Sequence, residues 1–305
     1  MILLPIAFNV FDLKIGKIDK VFLTYSVCMS LLLMVCFGIA IINAFHYGDF
    51  QTWPFKYYNF TYAVGFHPSY LTTLILISII VILQLLHHQR YLILCFILLL
   101  IQIFSILFIG SRYGIFTLAA ILTFQLVYVL YCKIHWAKIN TLLVALVLTS
   151  IAIAGMILSK NSMTRLADSN EAIKDRLKIF EIGIDKIMDR PWVGGGVGSD
   201  RKLLLPEYRK KGLAVAFEEK YNLHNQFLQT SLELGLLGLA IFIILLFYFI
   251  ICSQQKWLAL QILFVFCMFF LVESVLERQS GVVSFTVWGM ILSLKGPPDK
   301  VQRND

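Results

Sequence analysis

Residues 224–247 read HNQFLQTSLELGLLGLAIFIILLF. His224 and Asn225 stand at the mouth of a long apolar run, directly after a long charged stretch. The run is long enough to cross the hydrocarbon core, so it reads as a membrane helix whose first turns carry polar groups. Asn225, Gln229 and Glu233 are spaced by four and share one helix face. Glu233 lies about two turns deeper than Asn225. A carboxylate at that depth faces protein or water rather than lipid, and a structural core acid is its simpler reading. His224 points to the opposite side. Gly235 and Gly238 follow, small residues of the kind that lets helices approach closely.

The rest of the chain repeats this pattern. Of 305 residues, 59% are hydrophobic and 14% charged, and the mean hydropathy is +0.80. A soluble domain cannot hide that much apolar surface. The fold class is therefore all-α: a polytopic integral membrane protein with about eight transmembrane helices. The runs are too long and too uniformly apolar for barrel strands, and helices satisfy their own backbone in lipid. The spans are expected near 21–45, 69–87, 91–109, 113–132, 139–158, 226–251, 257–273 and 279–294. Residues 1–158 thus hold about five spans, 159–224 form one long loop, and 225–305 hold about three spans and a short tail. Lys14, Lys17 and Lys20 precede the first run, but no small-residue cleavage site follows it, so no cleavable signal is read.

Charge sets the expected orientation. With the N-terminus inside, the inner segments hold Lys14, Lys17, Lys20, Arg90, Lys133, Lys138, Lys256, Lys295, Lys300 and Arg303. The short outer loops hold only Lys56, Arg112 and Arg278. The positive-inside rule then puts both termini in the cytoplasm and the 159–224 loop outside. That loop carries half of the 26 Lys and Arg, so the net charge of +8 reflects topology and the loop, not nucleic acid. Cys28, Cys36, Cys95, Cys132, Cys252 and Cys267 lie in spans or at their inner ends without metal-ligand spacing, and read as packing residues.

The loop divides into three. Residues 159–170 are polar and expected to be irregular. From Glu171 to Arg190 the spacing of Ile173, Leu177, Phe180, Ile184 and Ile187 predicts an amphipathic helix lying on the membrane or on the span bundle. Lys174, Lys178, Glu181 and Asp185 lie opposite. Arg176 falls beside the Phe180–Ile184 stripe, where it either snorkels or reaches something anionic at the bundle surface. Pro191 ends the helix, and Gly194-Gly195-Gly196-Val197-Gly198-Ser199-Asp200 follows. It lacks the Gly-Lys-Ser/Thr ending of a P-loop. A tight turn is the simpler reading and an anion-binding nest of N–H groups the other. A charged stretch, Arg201 to Lys220, leads back to His224.

Several ionisable groups gather at the expected outer face: Arg112 after Gly110-Ser111, Arg165 and Arg176 in the loop, His224, and Glu273, Glu277 and Arg278 at the end of the seventh span. For Arg165 and Arg278, anchoring at the headgroups explains the residue as well as function does. Arg112 is more suggestive because it stands alone in a very short loop. His67-Pro68-Ser69-Tyr70 reads as a helix start with Ser69 near the cap. His87-His88 reads as a basic anchor, and Asn59-Phe60-Thr61 as a weak glycosylation match. No His or acid cluster has metal-ligand spacing.

The stretch DRLKIFEIGIDKIMDRPWVGGGVGSD from Asp175, the stretch quoted from His224, and GSRYGIFTL from Gly110 together resemble the O-antigen ligase and polymerase family of bacterial envelope enzymes. The resemblance covers roughly residues 90–250. It implies an integral membrane glycosyltransferase of the inner membrane, with its active face in the periplasm. Such an enzyme takes a glycan on undecaprenyl diphosphate and moves it to a lipid A–core or glycan acceptor, with no cofactor, no metal and no nucleotide. Membrane lipids are its other expected partners. Carried over by motif, His224 is the expected catalytic residue, and Arg112 and Arg176 the expected diphosphate-binding pair. Arg165, Asn225, Glu233 and Arg278 are expected in support. The chemistry agrees with those roles. A guanidinium forks onto phosphate and stabilises the charge that grows on the leaving group. A histidine takes the acceptor's proton near neutral pH. The chain shows fewer spans than the resemblance implies, with the missing ones on the N-terminal side.

Two other readings are open. A transporter or flippase-like protein for an envelope lipid needs polar residues inside several spans, whereas these spans are almost purely apolar. A non-catalytic scaffold whose loop binds a partner predicts no effect from losing His224 or Arg112. Ligase and polymerase are not separated by the sequence.

Overall fold

The computed structural model describes residues 18–48, 57–62, 64–87, 91–131 and 160–293. Among these the regular structure is entirely helical. The elements are α1 (Ile18–Tyr47), α2 (Tyr57–Tyr62), α3 (Pro68–His87), α4 (Leu92–Ile109) and α5 (Arg112–Tyr131), then α6 (Lys160–Asp189), α7 (Asp200–Lys210) and α8 (Ala214–Glu218), then α9 (Gln226–Cys252), α10 (Lys256–Phe270), a short 3-10 turn (Val275–Glu277) and α11 (Gln279–Ser293). Four helices, α1, α3, α4 and α9, are long and apolar enough to cross a membrane. Helices α5, α10 and α11 coincide with three more expected spans, and the span expected at 139–158 lies outside the described residues.

Helix α3 is the hub of the bundle. Its sequence is apolar on every side, which suits a helix surrounded by others. Accordingly 83% of its span is buried, against 33% for α1 and 44% for α4. It packs on α1, α4, α5 and α10. Between apolar helices in lipid there is no hydrophobic drive to choose a register, so a few polar bonds do it. Tyr25 Oη donates to the Leu74 carbonyl at 2.9 Å and Tyr113 Oη to the Val265 carbonyl at 3.1 Å. Gln102 Nε2 donates to the Ser26 carbonyl at 3.2 Å and to Ser30 Oγ at 3.1 Å. Phe60 and Thr61 of the glycosylation match are fully buried in α2.

A second, smaller core lies beside the bundle. Ile179, Ile182 and Ile187 of α6 meet Leu204 and Tyr208 of α7, with Leu213, Leu223 and Leu232 closing it. One expectation is corrected here. Residues 160–170 are helical, continuous with the rest of α6, not irregular. The reason is that neither Gly nor Pro interrupts the chain from Lys160 to Ile182, so a helix nucleated in the packed part propagates backwards. The expected stripe divides, with Phe180 and Ile187 of it at the small core. Ile179, Ile182 and Ile187 face the core, while Leu177 and Ile184 of the expected stripe are exposed. Gly183 sets this choice: a Cβ there would stand 2.6 Å from Leu223 Cδ2, so the glycine face is the one that docks.

Helix α9 is broken rather than merely closely packed at Gly235. That residue has φ 69° and ψ −172°, a region essentially restricted to glycine. The break frees the N–H groups of Leu236 and Leu237 and the carbonyls of Leu232 and Glu233, which would otherwise bond each other. All four are satisfied by the turn after α6. Leu236 N donates to the Pro191 carbonyl at 2.7 Å and Leu237 N to the Trp192 carbonyl at 3.3 Å. Gly195 N donates to the Leu232 carbonyl at 2.9 Å and Gly196 N to the Glu233 carbonyl at 2.8 Å. The Gly-rich turn is therefore neither a free nest nor only a turn, because these two N–H groups are spent on α9. The glycines allow backbone to meet backbone: a Cβ on Gly235 would lie 2.3 Å from the Trp192 carbonyl oxygen, and one on Gly194 would lie 2.5 Å from that of Glu233.

Gly235→Ala should destabilise the protein by about 2–5 kcal/mol, combining positive-φ strain with a backbone clash. Gly38→Ala, in α1 with open space around the added methyl, should leave the unfolding midpoint unchanged or raise it. Thermal unfolding of both variants in detergent checks the pair.

Candidate active site

His224 sits between the small core and the bundle, just before α9. It is one of three non-glycine residues with positive φ among the described residues, at 45°. The conformation is held from several sides. Its backbone N–H donates to Asn222 Oδ1 at 3.0 Å, and the Tyr221 ring meets the imidazole edge-on at 5.1 Å. Asn225 caps α9, its Oδ1 accepting from Leu228 N at 3.0 Å, as a short amide side chain does at this position. Its Nδ2 donates to the Leu271 carbonyl at 3.3 Å. Gln226 Oε1 accepts from Leu276 N at 2.7 Å. These two side chains tie the start of α9 to the turn between α10 and α11.

That turn delivers Glu273. Its Oε2 lies 3.3 Å from His224 Nδ1, and the two side chains are 11% and 20% exposed. Burial alone would push the Glu273 carboxyl up. The hydrogen bond and charge of His224, then the charges of His67 and Arg176, outweigh burial and hold it below its ordinary value. An ionised carboxylate only accepts, so the shared proton sits on Nδ1. In the neutral imidazole the lone pair is then on Nε2, which makes the pair a base with a fixed tautomer.

Sequence reasoning placed Glu273 at a span end and gave it no link to His224. Forty-nine positions separate them, and only the fold joins them. His67 was read as part of a helix start, and it does serve there, with Nδ1 accepting from Ser69 N at 3.3 Å. Its Nε2 is 2.6 Å from Tyr58 Oη. It also belongs to the same electrostatic group. Burial lowers its basicity, Glu273 raises it, and Arg278 and His224 lower it.

The expected arginines are placed as follows. Arg176 is exposed, and its charge acts on Glu273. Arg278 lies over the Tyr70 ring, 5.8 Å from its centroid, beside His67. Arg112 is exposed and opens α5. The next residue, Tyr113, stacks on Phe269 at 5.5 Å, so this turn stands at the same end of the bundle as Glu273. Arg165 lies on α6, and its side chain falls outside the described residues.

Glu233 serves a different group. Gln229 bridges the two: its Oε1 accepts from Leu223 N at 3.3 Å and its Nε2 donates to Glu233 Oε1 at 3.2 Å. Glu233, Asp200 and Glu277 bring carboxylate oxygens within 4.8 Å of one another. Sequence spacing could not reveal this trio, because its members come from three separate elements. Oxygen donors alone suit a hard cation, and like charges this close also suit a shared proton. Glu277 is pushed up to about 7 by desolvation first, then by Glu233 and Asp200, with Arg201 opposing.

A folded-state value above the ordinary 4.5 means that the native protein holds a proton the unfolded chain has lost. Stability from this group is full below about 4.5 and declines as pH rises to about 7. The unfolding midpoint should fall between pH 5 and pH 8, and Glu277→Gln should flatten that fall. Melting curves across the range measure it.

Residues 97–243 match the family model described as O-Antigen ligase. No curated protein matches the chain. The matched stretch includes Arg112, Arg165, Arg176, His224, Asn225 and Glu233, whereas His67, Glu273, Glu277 and Arg278 come from flanking segments.

Proposed function

As a member of the O-antigen ligase family over residues 97–243, the chain, we propose, is a membrane glycosyltransferase that moves a glycan from undecaprenyl diphosphate to an acceptor hydroxyl. We place its working face in the periplasm and its spans in the bacterial inner membrane. The acceptor we favour is the lipid A–core of lipopolysaccharide, the ligase reaction. The observation that carries this reading is the His224–Glu273 pair at 3.3 Å with the Arg176 charge acting on it.

The mechanism follows from those groups. Glu273 holds His224 in the tautomer that leaves Nε2 free to accept. The acceptor hydroxyl gives its proton to Nε2 as its oxygen bonds to the anomeric carbon of the donor. The anomeric C–O bond to the diphosphate breaks at the same time, with inversion. The bonding pair leaves on the diphosphate oxygen, and the added negative charge is met by Arg176 and Arg112. The leaving group is already activated, so the step draws on no nucleotide. Asn225 and Gln226 act at one remove, because they fix the turn that carries Glu273.

Two variants test the reading. His224→Ala should lower turnover by about 10²–10⁴-fold, the usual share of general base catalysis. Glu273→Gln should keep the fold and lower kcat by roughly 10-fold or more while leaving acceptor KM nearly unchanged, because a neutral amide no longer fixes the proton on Nδ1. The assay follows transfer of labelled glycan from a polyprenyl diphosphate donor to purified lipid A–core. Full transfer by His224→Ala would overturn the assignment. Formation of lengthened glycan on the donor, with none on lipid A–core, would assign the polymerase reaction instead.

A further inference from the structure

Helix α6 is apolar on two sides. One side carries Ile179, Ile182 and Ile187 into the small core. The other side carries Leu177, Ile184 and Met188, and all three are exposed. This second stripe does not stop at the end of the helix. It continues into the turn, where Trp192 is 65% exposed, Val193 is exposed, and Val197 is 82% exposed. Six large apolar side chains in one band are more than a water-facing surface usually carries.

The height of that band is set by α9. The backbone bonds from Pro191 and Trp192 to Leu236 and Leu237 pin the turn at the Gly235 break. There it lies beside Leu234, Leu236 and Leu237, which are themselves exposed. The break also divides α9 by chemistry. Between Gln226 and Glu233 the helix buries Gln226, Gln229, Thr230, Ser231 and Glu233. From Gly235 to Cys252 it is almost wholly apolar, and its exposed side chains include Ile241, Ile244 and Phe247. Those eighteen residues extend about 27 Å, close to the roughly 30 Å of a hydrocarbon core. A hydrocarbon core that begins at Gly235 would leave the polar-lined part of α9 clear of the acyl chains.

We propose that the exposed apolar band of residues 177–197 is a membrane-insertion surface, seated in the boundary between headgroups and acyl chains beside the lipid-facing flank of α9. The occupant is the lipid bilayer itself. The band is continuous with the exposed apolar flank of a helix long enough to span, and it includes Trp192, a side chain favoured at the membrane interface. Arg190 is exposed between Met188 and Trp192, at the place where headgroup phosphates would meet it. The seat fixes the turn against the break and sets the height at which His224 stands above the acyl chains. It concerns the loop's place in the membrane and holds whichever reaction the site performs.

Fluorescence of the full chain in lipid vesicles tests the idea. Wild-type protein and Trp192→Phe are compared, so that the difference reports Trp192 against the other four tryptophans. Phosphatidylcholine brominated near the headgroup end of its chains should quench this difference signal by at least about half, and iodide in the water should leave it unchanged. Val197→Asp, on a side chain that packs into neither core, should weaken the bromolipid quenching. Quenching by iodide with none by bromolipid would place Trp192 in water and overturn the proposal. Shielding from both quenchers, together with a doubled particle mass, would assign the band to a second copy of the chain and overturn it as well.

Discussion

At Gly235 the chain gives up two helical hydrogen bonds, and the turn at 191–196 takes over all four of the freed groups. A backbone N–H or carbonyl left without a partner next to lipid costs several kcal/mol. The break in α9 and the shape of the Gly-rich turn are therefore one feature, and neither is stable alone. Glycine is required on both sides because the two backbones touch: an added Cβ would stand 2.3–2.5 Å from carbonyl oxygens. The docked turn fixes the end of α6 and the start of α7. Through Leu223 against Gly183 it also fixes the approach to His224.

The same constraint separates two polar groups that one helix face would otherwise merge. Upstream of the break, α9 spends its polar side chains on neighbouring segments. Asn225 and Gln226 hold the α10–α11 turn, and Gln229 joins Leu223 to Glu233. One group is the His224–Glu273 pair with His67 and Arg176 around it, where opposite charges keep the carboxylate ionised. The other is the Asp200–Glu233–Glu277 trio, where like charges push Glu277 the other way. Two acids four residues apart in sequence, Glu273 and Glu277, are thus driven in opposite directions by what the fold sets beside them.

Much of this was legible in the sequence, and the limits have physical causes. The apolar runs disclosed helices and a membrane, because only helices satisfy their backbone within one segment. His224 stood out as a lone base at a helix mouth, and Arg176 as a charge on the wrong side of its helix. The 160–170 segment was misread because its polar composition looked like a loop, although nothing in it breaks a helix. The stripe of α6 divides between two surfaces because the helix has two apolar sides, and spacing cannot say which of them meets protein. Glu273 stood only as one of several ionisable groups at a span end, because its partner lies 49 positions away.

By itself the sequence determined what is local or periodic: helical segments, their apolar faces, the charged loop between them, and the places of a histidine and several arginines along it. Those follow from spacing and composition along one stretch of chain. Only the tertiary structure decided which groups meet. It turned Gly235 from a packing residue into a break, assigned the Gly-rich turn to that break, and paired His224 with Glu273. The reason is that hydrogen bonding and electrostatics act over a few ångströms in space, whatever the separation along the chain.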